Sequence, residues 1–167
     1  MKNIAVIGTG VIGTGWILRF LANDIKVKAF DKNSQQINFL KEEITRTNLI
    51  IKNLYNTKIN IKNLEIVDDI EEAVKNADLI QENVPERLTL KKDVIKNISK
   101  YSPSNSIIAS SSSGLLPSDL QSKCINPKRL IIAHPFNPVY ILPLVEIVKG
   151  KKTTNLYLNK AKKFYQK

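Results

Sequence analysis

The sequence predicts an α/β fold with a doubly wound, mostly parallel sheet, and three observations carry that prediction. An apolar run, Asn3-Ile-Ala-Val-Ile7, leads straight into Gly8-Thr-Gly10-Val-Ile-Gly13, and a second short run, Lys26 to Phe30, ends at Asp31. Between them, Val11, Ile12, Ile17, Leu18, Phe20 and Leu21 have the spacing of a helix packed on a sheet. Short apolar runs then alternate with helical patterns along the rest of the chain. Parallel neighbours need crossover connections, so this alternation demands a parallel sheet with helices on its faces. The 167 residues, 43% of them hydrophobic, suffice to bury one core, and residues 1–167 read as a single Rossmann-type domain.

The first strand, turn and helix point to a ligand. Gly8 suits the tight turn, Gly10 lets the backbone approach a pyrophosphate, and Gly13 allows close helix-to-strand packing, while N–H groups at the helix start, at Val11 and Ile12, face the phosphates. Asp31, eighteen residues past Gly13, is placed to accept hydrogen bonds from an adenosine ribose and to repel a 2′-phosphate, which favours NAD over NADP. A glycine triad alone is a weak signal. The strand before it, the helix after it and the acid at this distance make it a specific one. Trp16, on the same helix, reads as packing rather than as a stacking platform.

Beyond Asp31, Asn33 and Ser34 offer N-cap groups to a helix with apolar positions Ile37, Leu40, Ile44 and Ile51, running towards Lys52. Asn53 to Asn63, rich in Asn and Lys without period, reads as a solvent-facing connection. Glu65-Ile-Val67 is a short strand, Asp68 and Asp69 start a brief helix to Lys75, and Ala77 to Gln81 is the next strand. Glu82 then stands at the carboxyl edge of the sheet, where doubly wound folds bind ligands, and is a candidate for the nicotinamide side of a site. A helix with Leu88, Val94, Ile95 and Ile98 as apolar positions leads through a turn to the strand Ser106 to Ser110. The serine run that follows, Ser111 to Ser113 with Gly114, reads by itself as a flexible or capping loop, and Ser118 and Asp119 open a short helix.

Arg129 to Ala133 is a further strand, and it delivers His134, the only histidine, to the same carboxyl edge. Pro135-Phe-Asn-Pro138 stiffens the loop behind it. Twelve residues on, Glu146 interrupts the apolar strand Pro143 to Val148, and an acid in such a run is costly unless paired. The pair suggests an imidazole whose tautomer and protonated form are fixed by a buried carboxylate, a unit fit for proton exchange around neutral pH. Thr154 to Gln166 reads as a last helix.

Composition excludes several classes. The net charge is +11, but 22 of the 26 basic residues are lysines scattered along the chain, without the arginine enrichment or basic block of a nucleic-acid surface. The lone Cys124 makes neither a disulfide nor a cysteine metal site, so no metal is expected and a reducing, cytoplasmic setting fits. No apolar run reaches membrane-spanning length and no leader pattern precedes the first strand.

Taken together, Gly8-x-Gly10-x-x-Gly13, Asp31, Gln81-Glu82 with Pro85-Glu86-Arg87, Ala109 to Leu115, His134-Pro-Phe-Asn-Pro138 and Leu144-Val-Glu146 resemble the NAD-binding domain of the L-3-hydroxyacyl-CoA dehydrogenase family, and within it the carnitine 3-dehydrogenases. The resemblance implies oxidation of a 3-hydroxy to a 3-keto group with NAD. It implies His134 as catalytic base, Glu146 as its partner and Ser113 as the hydroxyl that holds the substrate oxygen, with Gly8, Gly10, Gly13, Asp31 and Glu82 as cofactor contacts. The compact stretch from Asp31 to Glu82 leans towards a small substrate such as carnitine, with a 3-hydroxyacyl-CoA as the alternative. The family's all-helical second domain supplies substrate contacts and the homodimer interface. The chain is expected to stop short of that domain at Lys167, which leaves a non-catalytic nucleotide-binding fragment as the competing reading.

Overall fold

The computed structural model describes residues 1–166. Strands β1 (Asn3–Ile7), β2 (Lys26–Phe30), β3 (Leu64–Ile66), β4 (Leu79–Glu82), β5 (Ile107–Ser110), β6 (Leu130–Pro135) and β7 (Val145–Lys149) form one sheet in the order β3-β2-β1-β4-β5-β6-β7. The first six are parallel; β7 runs antiparallel to β6. Helices α1 (Val11–Ala22), α2 (Ser34–Tyr55), α3 (Ile70–Val74), α4 (Leu88–Tyr101), α5 (Pro117–Leu120) and α6 (Asn155–Tyr165) cover its two faces.

Strand alternation divides the core in two, as a sheet covered on both sides requires. Ile4 and Val6 of β1, with Ile131 and Ala133 of β6, pack against Trp16, Ile17, Phe20 and Leu21 of α1, Leu40 of α2 and Ala161 of α6. Ala5 and Ile7, with Leu130 and Ile132, pack against Ala73 and Val74 of α3 and Ile95 and Ile98 of α4. The free Cys124 sits in this second cluster, and burial pushes its thiol up. Among the described residues, no helix is long and apolar enough to cross a membrane, and no cluster of three or more acidic, histidine or cysteine side chains is placed to hold a metal ion.

Most elements end within two residues of the sequence reading, and three further features depart from it. Helix α2 does not stop near Lys52 but continues to Tyr55, whose hydroxyl donates to Ile141 O at 2.8 Å and whose ring lies 5.0 Å from the Arg19 guanidinium carbon. Asn56, at φ 50°, then ends it in the left-handed region that Asn tolerates. Within the expected connection, Ile61–Asn63 forms one turn of 3-10 helix. The last strand begins at Val145 rather than Pro143 and lies at the sheet's edge with one side open, so Glu146 is not a buried acid: its side chain is 58% exposed.

Candidate active site

The order of strands reverses between β1 and β4, and in doubly wound sheets the crevice that takes a ligand lies above the carboxyl ends of the strands at that point. The glycine turn lies there. Gly8 has φ +91°, and a Cβ on it would stand 2.8 Å from the carbonyl carbon of Asn83. A Cβ on Gly13 would fall 1.9 Å from Gly8 O, so both glycines are required by the chain's own packing. Gly10 is different. Its backbone is ordinary, and a Cβ there would meet only Gln36 Oε1, at 3.6 Å. Space is therefore left beside its Cα. Gly10 is also the N-cap of α1, and among the described residues no side chain caps that helix, so the N–H groups of its first turn, at Val11 and Ile12, are left for an anion.

Asp31, at the end of β2, steadies this turn. Its Oδ2 accepts from the Thr9 N–H at 2.7 Å and its Oδ1 from the Asn33 N–H at 2.9 Å, while the Thr14 hydroxyl donates to Thr9 O at 2.7 Å. Oδ2 also accepts from the Thr9 hydroxyl at 3.4 Å, whereas Oδ1 keeps a lone pair that can accept from a further hydroxyl.

Glu82 requires a correction. Expected at the nicotinamide side, its carboxylate is enclosed on the α4 face: Oε1 accepts from Lys91 Nζ at 2.8 Å and from the Val84 N–H at 2.7 Å, and Oε2 accepts from the Ser110 hydroxyl. Alternation along β4 turns it inward, so any contact with a bound nucleotide falls to its backbone. Above it, Glu86 gathers the serine loop. One carboxylate oxygen accepts from the Ser112 hydroxyl and from the N–H groups of Ser113, at 3.0 Å, and Gly114, at 3.1 Å. Burial alone would raise the Glu86 carboxyl, but these hydrogen bonds and the nearby Lys91 ammonium outweigh it and hold the group below its ordinary value. Far from flexible, the serine run is pinned at every step, with the Ser113 side chain left exposed at the crevice.

Neither Glu86 nor Lys91 received a role from the sequence. The signal was present for Lys91, which shares the helical spacing of Ile95 and Ile98 and therefore the buried face of α4.

His134 and Glu146 stand directly opposite each other in the antiparallel β6–β7 ladder, which puts both side chains on one face. Nδ1 of His134 lies 3.0 Å from Glu146 Oε2. A carboxylate only accepts, so Nδ1 is the donor in this contact, and in the neutral ring the lone pair falls on Nε2. Parallel pairing of β5 with β6 brings the serine loop and His134 out at the same carboxyl edge of the sheet as the glycine turn.

A sheet of this order, with its crevice between β1 and β4, is that of the dinucleotide-binding Rossmann domains. The chain belongs to the 3-hydroxyacyl-CoA dehydrogenase family, whose NAD-binding domain profile matches residues 3–167. It is 51% identical over 99% of its length to an L-carnitine dehydrogenase of Oceanobacillus iheyensis and 45% identical over 99% to one of Bacillus cereus. It covers 54% and 51% of those proteins, so the chain spans about half the length of the curated relatives it matches. Among solved structures it superposes on 99% of its length with an NAD+-dependent dismutase, 5-formyl-3-hydroxy-2-methylpyridine 4-carboxylic acid 5-dehydrogenase, at TM-score 0.92 and 29% identity, covering 54% of that chain. It likewise matches the 3-hydroxybutyryl-CoA dehydrogenase of Escherichia coli over 99% of its length at TM-score 0.90 and 25% identity, covering 36% of that chain.

Proposed function

We propose that residues 1–167 form the cofactor-binding and proton-transferring half of an NAD-dependent dehydrogenase that oxidises the 3-hydroxy group of carnitine to a ketone. The observation that carries this reading is the 3.0 Å contact of His134 Nδ1 with Glu146, which leaves Nε2 free at the edge where the serine loop and glycine turn meet. In this reading Gly8, Gly10 and Gly13 shape the pyrophosphate seat, the N–H groups of Val11 and Ile12 bind its charge, and Asp31 holds the adenosine ribose. NAD, when bound, supplies the acceptor for the hydride that the carbinol carbon gives up. His134 Nε2 removes the hydroxyl proton, and Glu146 keeps the ring in the tautomer that can accept it and stabilises the imidazolium that results. Ser113 holds the substrate oxygen as it changes from hydroxyl to carbonyl, a positioning role rather than a nucleophilic one. In the reverse direction the same imidazolium returns the proton.

The apolar side chains of Leu116, Phe136, Leu142 and Leu144, exposed in the segments flanking Ser113, His134 and Glu146, are in this reading the surface that the rest of a longer, dimeric, cytoplasmic protein covers. Carnitine is preferred to a 3-hydroxyacyl-CoA because relatives at 41–51% identity bear the carnitine name. The likeness to the E. coli 3-hydroxybutyryl-CoA enzyme keeps the second substrate in the test. The test is reduction of NAD, followed by absorbance, with L-carnitine and with 3-hydroxybutyryl-CoA, in a form extended to the relatives' length. Oxidation of carnitine that drops by about 10² or more in His134→Ala supports the reading, and equal turnover in that variant sinks it. Saturable NADH binding by the extended form without turnover of either substrate would leave a nucleotide-binding module only.

A further inference from the structure

On the α1 face of the sheet a second polar cluster lies under the same site. Gln81, in β4, is wholly buried, and each of its amide atoms is used. Its Nε2 donates to Ser111 Oγ at 2.9 Å and to Ala133 O at 3.3 Å, and its Oε1 accepts from the hydroxyl of Tyr165, at the end of α6. Ser111 Oγ also accepts from the indole N–H of Trp16 at 3.2 Å and donates to Asn83 Oδ1 at 2.7 Å, while Asn83 Nδ2 donates to Gln81 O at 2.9 Å. Ala133 is the residue before His134, Ser111 opens the serine loop, and the Asn83 backbone backs the Gly8 turn. One amide therefore ties together the three segments that meet at the crevice.

The orientation of that amide is set from both sides. Ser111 Oγ already donates to Asn83, and Ala133 O only accepts, so both demand an N–H from Gln81. The opposite side must then receive a donor, and Tyr165 supplies it. Satisfied buried networks of this kind specify one arrangement, and loss of one member frees the rest to rotate. Burial raises the Tyr165 phenol far above its ordinary value, so it stays a donor throughout the working pH range.

We infer that Gln81 and Tyr165 are positioning residues: with Tyr165 fixing the amide, Gln81 holds the serine loop and the strand end that carries His134 in register with the glycine turn, so that the seating of α6 sets the geometry of the site. The inference rests on the site proposed above, and neither residue touches a reacting atom in it.

The test uses the full 167-residue chain and Tyr165→Phe, which keeps the ring and removes only the hydroxyl. The expected result is displacement of the backbone amide resonances of Ser111 to Ser113 and of His134, and NADH binding weakened roughly fivefold or more, the lower edge of coupling between linked sites. A general loss of stability would lower the melting temperature without singling out those resonances. Gln81→Leu should displace the same resonances, and adding Tyr165→Phe to it should change them little further, because the tyrosine acts through the amide. If folded Tyr165→Phe moves only its neighbours on α6 and the Trp16 ring packed on it, and leaves Ser111 to Ser113 and His134 as they were, the inference is overturned, whatever the behaviour of the double variant. Displaced resonances in a chain that binds no NADH would instead overturn the nucleotide reading and keep the linkage.

Discussion

Lys91 Nζ lies 2.8 Å from Glu82 Oε1 in a pair from which solvent is almost excluded, the two side chains being 2% and 0% exposed. Glu86 adds a second carboxylate to the same ammonium at 3.4 Å. The cluster sits between the carboxyl end of β4 and the serine loop, so one buried cation is shared by the two acids on which that loop is built.

Removing Lys91 leaves the enclosed Glu82 carboxylate without its counter-ion, beside the part-exposed Glu86. Lys91→Met should therefore destabilise the chain by about 3–5 kcal/mol, the usual loss when one member of a buried pair is taken away. Lys91→Met with Glu82→Gln should recover a large part of it. Urea denaturation of the single and double variants measures both; a single variant as stable as the parent would show that the pair carries no weight.

Glu86 makes stability depend on pH in a defined direction. Its folded-state pKa is lowered, so the stabilisation it gives is complete above the unfolded value, about 4.3 for a glutamate, and is lost as pH falls through the lower folded value. Glu86→Gln should be less stable than the parent at neutral pH, and the gap should close on the acid side. Melting curves from neutral pH to about 3 test this, with amide exchange at Ser113 and Gly114 as the local report. A gap that widens on acidification would contradict the assignment.

The glycines separate packing from binding. Gly13→Ala drives a methyl to 1.9 Å from Gly8 O and should cost about 3 kcal/mol, at the upper end of overpacking. Gly10→Ala meets no backbone within 4 Å, so its melting temperature should stay near that of the parent. Its NADH affinity should fall by about tenfold or more, equivalent to about 1.4 kcal/mol, because the methyl fills the space beside the peptide. Calorimetric titration distinguishes the two, and unchanged affinity in Gly10→Ala would remove the phosphate seat from that position.

Glu146→Gln keeps the shape of the side chain and reverses the demand on Nδ1, since an amide nitrogen can donate to it. In the extended form, turnover should fall by about tenfold to a hundredfold, less than the loss in His134→Ala, with cofactor affinity unchanged. The steady-state split between kcat and the NAD dissociation constant is the measurement. An equal loss in NAD binding would make Glu146 a structural residue.

Much of this arrangement is legible in one dimension. The strand, glycine turn and helix are contiguous, so local spacing alone places Gly8, Gly10, Gly13 and Asp31, and the alternation of apolar runs with helical patterns demands a mostly parallel sheet. The register of His134 against Glu146 was suggested only by an acid in an apolar strand. The inward turn of Glu82, the gathering of the serine run on Glu86 and the extension of α2 to Tyr55 left no clear mark, because each depends on a partner from 26 to 86 residues away in sequence.

The sequence by itself determined the order of elements and the residue types at the crevice, since these follow from hydrophobic period and from the chemistry of glycine, histidine and carboxylate. Tertiary structure alone decided which acids face solvent and which are shut inside, that the last strand runs antiparallel, and that Gln81 spans from Tyr165 to the serine loop. The physical reason is that a strand's alternation gives two faces without saying what covers them. Burial, and with it the need for every polar group to find a partner, is settled only when α1, α4 and α6 have packed.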